Sequence, residues 1–131
     1  MFANLQLERA LKFSLLIYGS EAMFDRLPPE AQAEVVEMHK SLQNALRQRG
    51  AYLSVQLMST NSAVTVAPAT GRSGKPLVVD GPFSDSKEQF LGLYIAEFDG
   101  INEAAEFASI ISTPLVKIEV RPVQWSNGSL D

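Results

Sequence analysis

Twice in this chain a stretch with strand period is followed by one with helix period and then by another strand, and few architectures accommodate that order. Leu11, Phe13, Leu15 and Ile17 alternate with Lys12, Ser14 and Leu16, a period of two that predicts a strand. After Gly19-Ser20, the sequence Pro28-Pro29-Glu30 opens a segment in which Ala31, Val35, Met38, Leu42, Ala45 and Leu46 recur at helical spacing. Proline suits a first turn whose N–H groups lack partners, and Glu30 suits the positive end of the helix dipole. Arg47, Arg49 and Gly50 suit the opposite end. Residues 51–57 alternate again. Farther on, the order repeats with a strand over residues 91–98, a helix capped by Asn102 and ending before Thr113-Pro114, and a strand carrying Val116, Ile118 and Val120.

Between the two halves lie short strand-like runs at residues 63–67 and 77–79, joined by the turn-rich Pro68 to Pro76 segment, which reads as a hairpin. The expected fold is α+β, a ferredoxin-like split βαβ sandwich with an inserted β-hairpin, both helices covering one face of the sheet through right-handed crossovers. One domain over residues 11–124 is expected, with an N-terminal extension at 1–10 and a tail at 125–131. The first and third core strands should be central. Their alternation assigns Leu16 and Tyr18, and Tyr94, Ala96 and Phe98, to the face away from the helices. The outer strands should show Tyr52, Ser54 and Gln56, and Lys117, Glu119 and Arg121, on that face. Apolar residues at the centre of an otherwise solvated face predict a cover, most simply a second copy packed sheet against sheet.

Charge and residue content exclude several classes. Eleven Lys and Arg against fifteen Asp and Glu leave a net charge of 11 − 15 = −4, the wrong sign for a nucleic-acid partner. No run reaches the ~18 apolar residues of a membrane span, and Glu8, Arg9 and Lys12 interrupt the only stretch placed like a secretion signal. A cytoplasmic protein is expected. With no cysteine and one histidine, neither thiol chemistry nor a metal centre is expected, and no cofactor is implied.

Three stretches together resemble the YCII-related, or DGPF-domain, family. They are Phe13-Ser14-Leu15-Leu16-Ile17-Tyr18-Gly19; Asp80-Gly81-Pro82-Phe83 continuing through Lys87-Glu88-Gln89 to Gly92 and Tyr94; and Glu119-Val120-Arg121-Pro122-Val123. Asp85 stands where the family has Glu, and Leu91 where it often has Gly. The resemblance implies a dimeric α/β-barrel type of the ferredoxin-like fold. It also implies a His–Asp pair in a cleft, as in relatives of which one branch dehydrochlorinates a hydroxylated aromatic ring. Other members resemble proteins found beside sigma factors.

His39, on the flank of the first long helix, matches the histidine placement of that family. Its two readings are a general base in a cleft between helix and sheet, or a half-exposed helix histidine without a role. Asp80 is either the carboxylate that orients His39 or a turn residue accepting a backbone N–H ahead of Gly-Pro. Such a pair suits proton abstraction in lyase or elimination chemistry on a small organic molecule; no nucleophile elbow accompanies it. Lys87, Glu88 and Arg121 are candidate ligand-binding groups, each with a solvated or interface role as its alternative. A non-catalytic ligand-binding or regulatory module is the competing function.

Overall fold

A computed structural model describes residues 11–69, 74–84 and 87–128. The proposed extension at 1–10, the hairpin tip at 71–73, Asp85 and the last three residues of the tail lie outside the described residues. The elements in chain order are β1 (Leu11–Gly19), α1 (Glu21–Asp25), α2 (Pro29–Arg49), β2 (Tyr52–Gln56), β3 (Val64–Ala67), β4 (Leu77–Asp80), β5 (Gln89–Phe98), α3 (Ile101–Ala108) and β6 (Val116–Pro122), with single 3₁₀ turns at Thr60–Ser62 and Ser109–Ile111.

Four strands form an antiparallel sheet in the order β2-β5-β1-β6, and β3 and β4 form a separate antiparallel pair. The protein is thus α+β, and this strand order is compatible with the ferredoxin-like expectation. The two longer helices share one core with one sheet face. Leu42 and Leu46 of α2 and Ala104 and Ala108 of α3 cluster with Phe13, Leu15, Ile17, Tyr94, Ala96 and Phe98. Helix α2 begins and ends where its sequence dictates: Pro29 opens it, Arg47 and Arg49 occupy its last turn, and the Gly50 N–H bonds the Leu46 carbonyl.

Two expectations need correction. Helix α3 starts two residues earlier than a cap at Asn102 implies: Gly100 is its N-cap, without a side-chain bond, and Glu103 reaches back to accept the Asp99 N–H at 2.9 Å. That contact offsets the absent cap and leaves Asn102 inside the first turn. The short helix α1 is an addition, capped by the Ser20 hydroxyl, which accepts the Met23 N–H.

The larger correction concerns the faces of β2 and β5. The register pairs Leu15 with Tyr94 and Phe13 with Ala96, so Tyr94, Ala96 and Phe98 point toward the helices, where they are buried. In β2, Tyr52 and Ser54 stand opposite Ala96 and Tyr94 and share that face. The open face therefore presents a row of Val55, Leu93, Leu16 and Glu119 and a second row of Leu53, Ile95, Ser14 and Arg121. Period-two alternation separates two faces without telling which meets the helices. In β5 both faces are apolar, and in β2 the polar alternates meet the polar flank of α2, so hydrophobicity points the wrong way. Only β1 and β6 carry the expected assignment.

The turn after β4 has a structural cause. Gly81 adopts φ 100°, a conformation a side chain disfavours. Its N–H bonds the Ala63 carbonyl at 2.7 Å and its carbonyl accepts the Thr65 hydroxyl at 2.8 Å, fastening the turn to β3.

Candidate functional site

Residues 39, 43 and 47 of α2 follow one another at the four-residue spacing that lines one helix flank. That flank lies over the polar side of β2 and the middle of β5. His39 Nδ1 is 2.8 Å from the Tyr94 hydroxyl, and the two rings stack nearly parallel, 18° apart with centroids at 5.8 Å. Gln43 Nε2 donates to the same hydroxyl oxygen at 3.2 Å. One turn further along, an Arg47 N–H donates to the Tyr52 hydroxyl at 3.2 Å. Burial pushes the His39 pKa below its ordinary value and raises that of Tyr94, the latter partly opposed by hydrogen bonds from Gln43 and Ser54. At neutral pH the pair is therefore an uncharged imidazole against an uncharged phenol. A neutral imidazole in this setting has one N–H to donate and one nitrogen lone pair to accept a hydrogen bond.

The five residues singled out by sequence are not gathered in one place. Asp80 is exposed at the end of β4. Among the described residues no hydrogen bond or ion pair joins it to His39, whose recorded partner is Tyr94. Lys87 is exposed beside Glu88, and Glu88 pairs with Lys117 at 3.4 Å. Arg121 lies on the open face, where its Nε bonds Glu119 at 2.8 Å. The sheet separates it from His39, because α2 packs against the opposite face. Tyr94 and Gln43 escaped the sequence reading. The spacing of His39, Gln43 and Arg47 was visible, but their contact with Tyr94 depends on the face of β5, which alternation leaves open.

Elsewhere, a cleft of about 220 Å³ opens where the start of β1 meets the ends of α2 and β5, lined by Lys12, Leu46, Arg49, Ala51, Ala96 and Glu97 among others. It contains none of the five residues. Arg49 is already engaged at that end of the molecule: its guanidinium holds Glu103 at 2.9 Å, bonds the Glu97 carbonyl and covers the rings of Phe98 and Phe107. No cluster of metal-ligating side chains occurs among the described residues, and no described helix is long and apolar enough to cross a membrane.

Comparison with known proteins places these features in a family context. The family described as the YCII-related domain matches residues 11–124. An uncharacterised protein of Rhizobium meliloti (strain 1021) is 29% identical over 115 residues, covering 85% of this chain and 90% of that protein.

Proposed function

Because the chain belongs to the YCII-related domain family, we propose that it acts on a small organic molecule through acid–base chemistry centred on His39. The observation that carries this reading is the half-buried His39 imidazole held 2.8 Å from the Tyr94 hydroxyl beneath α2. An imidazole whose pKa burial lowers, held in place by a buried phenol, is suited to polarising a substrate atom or moving a proton in an elimination or lyase reaction. In this reading Asp80, at the end of β4, contributes a carboxylate to the substrate side and Lys87 and Glu88 serve binding, while Arg121, across the sheet from His39, serves the dimer interface. The working unit is a homodimer joined through the open sheet face, whose apolar rows are supported for this role by a flanking strip carrying both charge signs, Lys117, Glu119 and Arg121.

The test is a thermal-shift screen against small organic acids and aromatics, followed by an assay for consumption of each stabilising compound. Turnover by wild type that falls at least 100-fold in His39→Gln supports the reading, a loss in the usual range for a general acid–base group. Turnover unchanged in that variant, or stabilising compounds that are never consumed, removes it. A second reading has its own support. The β3–β4 pair is apolar yet exposed, with Val66, Leu77 and Val78 each at least 60% accessible and Phe83 at 92%, which suits a protein-interaction module linked to regulation.

A further inference from the structure

The Tyr94 hydroxyl has one proton and two lone pairs, and its surroundings determine where that proton points. Gln43 Nε2 donates to the oxygen, occupying one lone pair. The Ser54 hydroxyl, beside it on the neighbouring strand, also stabilises negative charge on that oxygen, as a donor does. A phenol approached by donors is left with one useful direction for its own proton, toward His39 Nδ1 at 2.8 Å. An imidazole whose Nδ1 accepts a hydrogen bond carries its proton on Nε2.

We infer that the Gln43–Tyr94 pair locks His39 in the Nε2–H tautomer, so that the site presents a neutral hydrogen-bond donor and takes a ligand through a carbonyl or carboxylate oxygen. This rests on the reading of His39 as the centre of the site and narrows it. The imidazole approaches the ligand as an electrophilic donor that polarises an oxygen, not as a lone pair that removes a proton. Three observations agree. Among the described residues His39 has no protein partner other than Tyr94, which leaves Nε2–H available to a ligand. Burial keeps the phenol protonated and therefore able to donate. Protonating His39 would require Nδ1 to donate to an oxygen already receiving the Gln43 N–H, so both the network and burial oppose the imidazolium. Tyr94 and Gln43 are in this account positioning residues, acting through His39.

His39 is the only histidine, so the ring-nitrogen spectrum of protein labelled with ¹⁵N-histidine contains one imidazole and needs no assignment. At pH 7.5 the wild type is expected to show one tautomer, with a protonated Nε2 and an unprotonated Nδ1. Tyr94→Phe should convert it to a mixture of both tautomers, and Gln43→Met, which frees the phenol oxygen to accept, should raise the Nδ1–H share. Benzoate, as the carboxylate probe, should shift the Nε2–H signal, whereas benzamidinium, a cation of similar shape, should not. A wild-type imidazole protonated at Nδ1, or tautomer ratios identical in all three proteins, overturns the lock. Absence of a benzoate shift, or a shift with benzamidinium instead, overturns the ligand class. The catalytic reading fails separately: an Nε2–H tautomer in a protein that consumes nothing sinks that reading alone, and turnover by a protein with Nδ1 protonated sinks this inference alone.

Discussion

Gly92 has no room for a β-carbon. One built there would stand 2.4 Å from the Val55 carbonyl oxygen, a backbone atom that cannot swing aside. Gly92→Ala is expected to push β2 away from β5 and to cost roughly 1–3 kcal/mol, as overpacking does. It should be read as a lower urea midpoint with an unchanged slope. His39 supplies a second prediction at this scale. Its folded pKa lies below the ordinary 6.5 because burial disfavours the charged ring. Just below pH 6.5 the unfolded chain therefore binds a proton that the folded chain does not. Stability should be complete above that pH and fall as pH drops through the window between 6.5 and the lower folded value. His39→Gln should flatten the slope of unfolding free energy between pH 7 and the onset of carboxylate titration, since the chain has no other histidine. An unchanged slope would mean that the ring is as solvated in the folded state as in the unfolded one.

At the scale of elements, helix α2 is held differently along its length. Its middle rests on Leu42 and Leu46, both essentially inaccessible, and its end is fastened by Arg49. That guanidinium joins α2 to α3 through a two-pronged contact with Glu103 and to β5 through the Glu97 carbonyl, while lying 5.4 Å from the Phe98 ring centroid and 5.3 Å from that of Phe107. A lysine keeps the charge but has neither the planar fork nor the stacking surface. Arg49→Lys is expected to lower stability by about 1–2 kcal/mol, given that the contact is partly screened by solvent. Arg47→Lys, whose bond to Tyr52 is exposed, should change it by less than about 0.5 kcal/mol; paired thermal unfolding of the two variants measures the difference. The limits of α2 were legible because proline, the terminal charges and Gly50 all act locally. The start of α3 was not, because Glu103 supports that end from inside the helix and Asn102 imitates a cap.

For the whole molecule, the proposed dimer rests on the open sheet face. Leu16, Leu53, Val55, Leu93 and Ile95 share it, bordered by the charged strip along β6 and by the Lys12–Glu97 pair at one end. Ile95→Lys places a charge at its centre, facing away from the core, and is expected to shift the protein from dimer to monomer in sedimentation velocity at micromolar concentration with little change in secondary structure. A wild type that already sediments as a monomer would remove the dimer. The apolar face was anticipated from the sequence, but from the wrong members of β5. By itself, the sequence determined the strands and the two longer helices, though not α1, together with their order, the antiparallel split pairing and the turn at Gly81, because period, proline, glycine and end charges act within a few residues. Only the tertiary structure decided which face of β2 and β5 meets the helices. With it came the meeting of His39 with Tyr94, the separation of Arg121 by the sheet, and the exposed position of Asp80. Alternation is symmetric between two faces, and where both are apolar the choice is made by the fit of Phe13, Leu15, Tyr94 and Phe98 beneath α2 and α3, a packing constraint between residues far apart in the chain.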